Sequence, residues 1–456
     1  MGLKIDIYKP DFFLYLQSNL FRITMKRLLF AMLYLSMVYL QSCKTQTPVK
    51  IEANELHQWN IALQEGITND FFSPPVASRM YTYPNIAVFS LLHPNEYNQV
   101  IQDNTKPKPI EVNKNLLEVV AMYTFYHVAI KMIYTIKPLD DYKKQFDSTL
   151  LAKDYDQNML QEANTKAEAY AKQILAWAAT DGYKETRSDS KYVLKNSPRS
   201  WKPTPPDYMD ALEPNWHKIR PFLLDSSAEY VTFMAPHPYD VANKNSNFYK
   251  EMLEVYEQVS KTDSEQNGIG KFWDCNPLAP QHVSHVSYAE KKLTPGGHWL
   301  SIARIISTTK NDNLLDASKM YCYLSMSIAD AFIACWTSKY HYNYVRPVTV
   351  INETISPTWK SIITTPNFPE YPSGHSVVSS TASTILNQLY GKNTSFTDNS
   401  EEPYGMKPRT FSSFDQACEE AAMSRFYAGI HFKKAIVDGQ KMGRSIGEKF
   451  IQKLKL

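Results

Sequence analysis

Phe368-Pro-Glu-Tyr-Pro-Ser-Gly-His-Ser376, FPEYPSGHS, sets two prolines, a glycine and a histidine directly ahead of VVSSTASTILNQLY, a run whose apolar and small residues recur at helical spacing. A helix therefore begins near Ser373. Its N-terminus presents unpaired backbone N–H groups and the positive end of the helix dipole, a setting that can hold an anion. Pro372 fixes the approach, Ser373 offers a hydroxyl, Gly374 lets an anion come near the backbone, and His375 brings a titratable proton. The same four residues also read as an ordinary capped helix.

Outward from this point the chain reads as mainly helical. LLEVVAMYTFYHVAIKMIY (Leu116 to Tyr134) and AEAYAKQILAWAA (Ala167 to Ala179) repeat apolar residues at three- and four-residue intervals, as do His298 to Ser307, Ala317 to Trp336, Ser376 to Tyr390, Phe414 to Met423 and Lys433 to Leu454. Strand alternation is scarce. The expected fold class is all-α, helical bundles joined by long loops. Proline-rich SPRSWKPTPPDY (Ser197 to Tyr208) and polar KTDSEQNGIG (Lys261 to Gly270) read as loops. The second is the expected boundary between an N-terminal helical region, 56–260, and a C-terminal domain, 271–456, that carries the site.

The N-terminus reads as an export signal. From Met25 the sequence MKRLLFAMLYLSMVYLQSC runs from a basic start through an apolar stretch to small residues before Cys43. The closing LQSC resembles a bacterial lipobox, which implies lipidation of Cys43 and an exported protein attached to a membrane by lipid only, facing the periplasm or the cell surface. Residues 1–24 precede this better start and read as an extension from a mis-called initiation site, 25–43 as the signal peptide, and 44–55 as a polar linker. Four cysteines remain, Cys275, Cys322, Cys335 and Cys418; their spacings match no metal motif, and disulfides and buried free thiols both stay open. With 49 basic and 46 acidic residues interspersed, the net charge of +3 offers no dense basic stripe for nucleic acid.

Two further stretches carry charge toward FPEYPSGHS. In WTSKYHYNYVRP (Trp336 to Pro347), Lys339 and Arg346 stand seven residues apart, two helical turns, and are expected on one helix face. In MSRFYAGIHF (Met423 to Phe432), Arg425 and His431 are separated by a glycine-containing segment that can bend the chain until both converge. Arginine suits fork-like recognition of a tetrahedral oxyanion.

Lys-x6-Arg-Pro, Pro-Ser-Gly-His and Ser-Arg-x5-His, in that order, resemble the shared signature of the type 2 phosphatidic acid phosphatases and the vanadium-dependent haloperoxidases. The resemblance implies that Lys339, Arg346, Ser373, Gly374 and Arg425 bind the oxygens of vanadate or phosphate, that His431 is the vanadium ligand or the nucleophile on phosphorus, and that His375 is the general acid or base. WNIALQEG (Trp59 to Gly66), PPVASRMYTY (Pro74 to Tyr83) and TPGGHWLSIAR (Thr294 to Arg304) look like segments of the long haloperoxidase-type members. Trp336 and Phe368 look like the aromatics that border the halide region there, and read equally as core packing. Where both branches commonly carry an Asp four residues after the last histidine, this chain has Ala435; Asp438, seven residues on, could orient the imidazole instead.

Three functions are consistent with this pattern. The first is a haloperoxidase that uses vanadate as cofactor, with hydrogen peroxide and a halide as substrates, iodide or bromide rather than the harder-to-oxidise chloride. The second is an acid phosphatase that takes a phosphate ester through a phospho-His431 intermediate. The third is a non-catalytic surface lipoprotein that binds a glycan or a partner through its 30 tyrosines.

Overall fold

The computed structural model describes residues 50–456 except 154, 232, 233, 278, 279, 284, 285 and 290, and, of the N-terminal segment, residues 22 and 25–27. Cys43, the rest of the proposed signal and the first part of the 44–55 linker lie outside the described residues. The linker reading is too long by its last residues, because Ala53–Asn69 is already a helix.

Residues 50–456 form one compact unit of helices. In chain order these are α1 (Ala53–Asn69), α2 (Pro74–Leu92), α3 (Pro94–Val100), α4 (Leu117–Ala129), α5 (Lys137–Leu151), α6 (Gln157–Ala178) and α7 (Tyr183–Ser188), then α8 (Asn247–Lys261), α9 (Ser264–Phe272), α10 (Pro295–Lys310), α11 (Leu314–Tyr342), α12 (Pro347–Thr354), α13 (Gly374–Tyr390), α14 (Phe414–Tyr427) and α15 (Lys433–Leu454). Two antiparallel hairpins interrupt them, β1 (Pro280–Val283) with β2 (Val286–Ala289) and β3 (Phe396–Asp398) with β4 (Arg409–Phe411). Among the described residues no helix is long and apolar enough to cross a membrane.

Helix α11 is the spine. Its 29 residues are buried on nearly every side, which explains why its sequence is apolar almost all round and not amphipathic. It packs against α2, from an N-terminal group in which α4 lies on α2 and α6, and against α13 of a C-terminal group. A buried carboxylate, Asp330 of α11, receives the backbone N–H groups of Phe222, Leu223 and Leu224 at 2.7, 2.8 and 2.9 Å and ties the connecting loop to the spine.

Close approach of α13 and α15 depends on a stripe of small residues. Gly439, Gly443 and Gly447 recur every four positions along α15, and a Cβ added at Gly443 would stand 2.2 Å from the Val377 carbonyl oxygen and 2.8 Å from Ser380 Cβ. Thr381 Oγ1 donates to the Gly443 carbonyl at 3.0 Å across the same seam. This contact brings the start of α15, just after His431, onto the start of α13.

The 261–270 stretch is not a loop. Asp263 accepts from the Gln266 N–H at 2.8 Å and starts α9, which contains Gly268 and Gly270. The 197–208 stretch is irregular, as expected, and has a positioning role: the Trp201 N–H donates to the Asn343 carbonyl at 2.8 Å and the Val345 N–H to the Arg199 carbonyl at 2.9 Å.

Candidate active site

Lys339 and Arg346 converge, though not from one helix face. Asn343 adopts the left-handed conformation (φ 50°) and ends α11; Arg346 then begins α12 as its N-cap, so the chain turns between the two cations. Ser373 caps α13, its Oγ accepting from the Ser376 N–H at 3.4 Å, while its own N–H donates to the Ala435 carbonyl at 3.0 Å. Arg425 sits in the last turn of α14. After it Gly429, at φ 78°, reverses the chain where a Cβ would meet Val259 at 2.5 Å, and this bend delivers His431.

Among these elements lies a cavity of about 30 Å³. Trp336, Phe368, Gly374, His375, Arg425 and His431 line it, with Pro74, Cys275, Asn276, Pro295, Phe332 and Pro366 completing the wall. Lys339, Arg346 and Ser373 are fully buried and are not part of its lining. Trp336 and Phe368 pack with ring centroids 4.9 Å apart, and the charged groups of Lys339 and Arg346 each lie 5.0 Å from the Phe368 centroid. Both aromatics border the cavity; Trp336 is a buried core residue as well, whereas Phe368 is half-buried.

Arg346 fixes the protonation pattern of His431. Its Nη1 lies 3.2 Å from His431 Nε2, and because guanidinium can only donate, Nε2 must be the unprotonated nitrogen. The ring proton is then on Nδ1, which donates to Glu370 Oε1 at 2.8 Å. The Phe432 N–H donates to the same oxygen at 3.0 Å, so Oε1 acts as an acceptor in either ionisation state of the carboxyl. Burial holds His431 well below the usual imidazole range, with Arg346 and Lys339 adding to the shift; burial pushes Glu370 up to about 8 while those two cations pull it back.

Glu370 is therefore the acid behind the imidazole. Asp438 is not, because its carboxylate receives Tyr371 Oη at 2.8 Å and Lys434 Nζ at 2.8 Å. It steadies the residue next to Glu370 and reaches the site only through it. Ala435 contributes a carbonyl to Ser373 and no side-chain function. Sequence reasoning missed Glu370, whose one signal was an acid enclosed by prolines in FPEYPSGHS.

Charge in the cavity is predominantly positive. Burial lowers Lys339 to about 7 and Arg346 to about 9, and lowers Arg425 as well. Lys339 spends its three donors on the carbonyls of Pro369, Glu370 and Pro372, at 2.9, 3.0 and 2.5 Å, clamping the turn that precedes α13. Arg425 Nη1 donates to the Trp273 carbonyl at 2.9 Å. Three polar atoms are left over: Arg346 Nη2, Arg425 Nε and His375 Nε2 are buried with no hydrogen-bond partner. Each such orphan costs on the order of 1–3 kcal/mol. A tetrahedral oxyanion would offer all three a partner, and a Cβ on Gly374, in ordinary contact with Trp336 at 3.6 Å, would stand in the space it needs. Burial, with Arg425 second, holds His375 well below the usual range, so it too is a neutral imidazole.

Comparison with known proteins bears on the fold and the family. Residues 319–456 match the family model of the VCPO second helical-bundle domain. The crystal structure of the first bacterial vanadium-dependent iodoperoxidase superposes with a TM-score of 0.81 at 37% identity, covering 90% of this chain and 98% of that one. Holo-type and apo-type structures of a bacterial vanadium-dependent chloroperoxidase share the fold at 15% identity, with TM-scores of 0.67 and 0.63; they cover 89% and 84% of this chain, and 98% and 95% of their own. A search of curated proteins gives no match.

Proposed function

The chain belongs to the vanadium-dependent haloperoxidases, enzymes that oxidise halide with hydrogen peroxide, and from that premise we propose that vanadate binds at His431 and that iodide is the preferred halide. One observation supports the assignment: a neutral His431 imidazole whose unprotonated Nε2 accepts from Arg346 Nη1, beside a cavity that His431, His375 and Arg425 line, with Arg346 Nη2, Arg425 Nε and His375 Nε2 buried without partners.

Vanadate, when bound, supplies the Lewis-acidic centre at which hydrogen peroxide is activated toward halide. The rest falls to side chains. Glu370 keeps the proton of His431 on Nδ1 and so keeps Nε2 available as a ligand atom. Arg346 would release Nε2 and turn its two Nη groups to anion oxygens, while Arg425 Nε serves a second side of the anion. Lys339 holds the turn and adds charge, the hydroxyl of Ser373 stands at the helix start, and the first-turn N–H groups of α13 favour negative charge there. His375 Nε2, neutral and unpartnered, is placed to accept a proton from hydrogen peroxide and to return one to the departing oxygen.

Support for iodide comes from the iodoperoxidase at 37% identity and from the wall of Trp336 and Phe368, which suits a large, weakly hydrated anion. The test loads the purified protein with vanadate and follows peroxide-dependent oxidation of iodide, bromide and chloride beside hydrolysis of p-nitrophenyl phosphate. The expected result is vanadate-dependent oxidation that is fastest with iodide and is competed by phosphate. Ester hydrolysis inhibited by vanadate, without halide oxidation, would instead establish the phosphatase.

We propose further that the protein is exported and lipidated at Cys43, a reading supported by the Met25 to Cys43 sequence.

A further inference from the structure

Behind the oxyanion cavity three side chains from distant parts of the chain meet. Cys275 follows α9, His298 lies in α10, and Glu401 follows β3. Their ligand atoms, Sγ, Nδ1 and a carboxylate oxygen, all lie within 4.8 Å of one another, and all three residues are buried. Nδ1 of His298 is 3.5 Å from Cys275 Sγ and 3.4 Å from Glu401 Oε1.

The nitrogen-to-sulfur separation is compatible with a hydrogen bond, whereas the nitrogen-to-oxygen separation is long for one. A charge-assisted N–H···O contact closes to about 2.7–2.9 Å, as the other nitrogen of the same ring does: His298 Nε2 lies 2.7 Å from Asp398 Oδ2. One Nδ1–H also cannot point at a sulfur and an oxygen together, and Glu401 Oε1 is left buried with no hydrogen-bond partner. They are good separations for ligands of a shared ion. Tetrahedral zinc, with Zn–S about 2.3 Å and Zn–N or Zn–O about 2.0–2.1 Å, sets S···N near about 3.6 Å and N···O near about 3.3 Å. Asp398, fixed in turn by the Ser400 N–H and hydroxyl at 3.0 and 2.6 Å, holds the outer nitrogen of the ring, the arrangement by which zinc-binding histidines are oriented. The Trp273 indole stacks on the same ring at 4.5 Å.

We propose that Cys275 Sγ, His298 Nδ1 and Glu401 bind a divalent zinc ion, with water as the fourth ligand. A sulfur, nitrogen and oxygen set of this geometry favours zinc over magnesium or calcium. The ion uses none of the proposed vanadate ligands, though its site adjoins theirs through Cys275, and it has a positioning role. It pins the segment whose Trp273 carbonyl holds Arg425 and whose Cys275 lines the oxyanion cavity.

The experiment measures metal content of the full chain, purified from zinc-supplemented medium into vanadate-free buffer, by plasma mass spectrometry. The proposal expects about one zinc per chain that survives dialysis, falling at least about tenfold in Cys275→Ser and Glu401→Gln and unchanged in Cys322→Ser, a buried cysteine of α11. Cobalt(II) added to metal-depleted wild-type protein should give a thiolate-to-cobalt charge-transfer band, a readout that needs no variant to fold. Wild-type protein that takes up neither zinc nor cobalt, or variants that keep full zinc, would overturn the proposal and leave His298 as an imidazolium between Asp398 and Glu401.

Discussion

Replacing Glu370 by Ala removes the acceptor of two buried donors, the His431 Nδ1–H and the Phe432 N–H. Nothing then holds the imidazole proton away from Nε2 except Arg346. Loss of the group that orients a metal-ligating histidine reduces affinity or activity by roughly 10–100-fold, equivalent to about 1.4–2.8 kcal/mol. Measured above the raised Glu370 value of about 8, where the carboxyl is ionised, Glu370→Gln keeps an oxygen for both donors and surrenders the charge. Because charge-assisted bonds are about twice as strong as neutral ones, its loss should be nearer threefold to tenfold, on the order of half the energy. Vanadate affinity by calorimetry and the tautomer of His431 by ¹⁵N NMR report the two links separately. The expected order of affinity is wild type, then Glu370→Gln, then Glu370→Ala, with Nε2 gaining proton character along the series. If Glu370→Ala binds vanadate like wild type with an unchanged ¹⁵N spectrum, or if Asp438→Asn is the variant that loses both, the reasoning is refuted.

Other outcomes follow from the same geometry. Gly443→Ala should destabilise the protein by about 3 kcal/mol, the upper part of the usual overpacking range, since its Cβ would press on the Val377 carbonyl; Gly268→Ala, which meets nothing within 4 Å, should be neutral or slightly stabilising in the same urea titration. Gly374→Ala should fold with wild-type stability but lose vanadate binding, because its Cβ takes cavity space without a steric clash against protein. His375 is held below its ordinary value of 6.5, so the unfolded chain binds the extra proton and the stability contribution, complete above pH 6.5, is lost as pH falls below it. The difference in unfolding free energy between wild type and His375→Gln should therefore slope by about 1.4 kcal/mol per pH unit below that point in anion-free buffer; a flat difference would show a protonated imidazole. Cys43→Ser should abolish labelling by a fatty-acid probe and release the protein from membranes; unchanged labelling would contradict lipidation at that residue.

The helices were legible because apolar spacing records which face is buried, and α15 occupies the span that its periodicity indicates, Lys433 to Leu454. Boundaries were less so. Helix α4 stops at Ala129, short of Tyr134, which is 84% exposed, and α9 was concealed by its polar residues although Asp263 and Gln266 form a readable cap. The site's cations and histidines were legible through the resemblance of three ordered motifs to a family signature, each motif alone reading equally as surface or structural residues. Their convergence was not: a seven-residue spacing suggests one helix face, whereas Asn343 ends the helix between Lys339 and Arg346 and the turn does the converging. Partnerships formed across the fold leave no local trace, which is why Glu370 behind His431, 61 residues away, escaped a search confined to the residues that follow the histidine.

The central claim concerns where the anion sits and what holds it. A crystal structure of the protein soaked in vanadate tests this most directly. The account predicts vanadium bonded to His431 Nε2, with Arg346 shifted off that nitrogen, oxygens on Arg346 Nη2 and Arg425 Nε, His375 within hydrogen-bonding reach, and Glu370 still on Nδ1. Vanadate bound elsewhere, or held by the cations alone while Arg346 stays on Nε2, would contradict it.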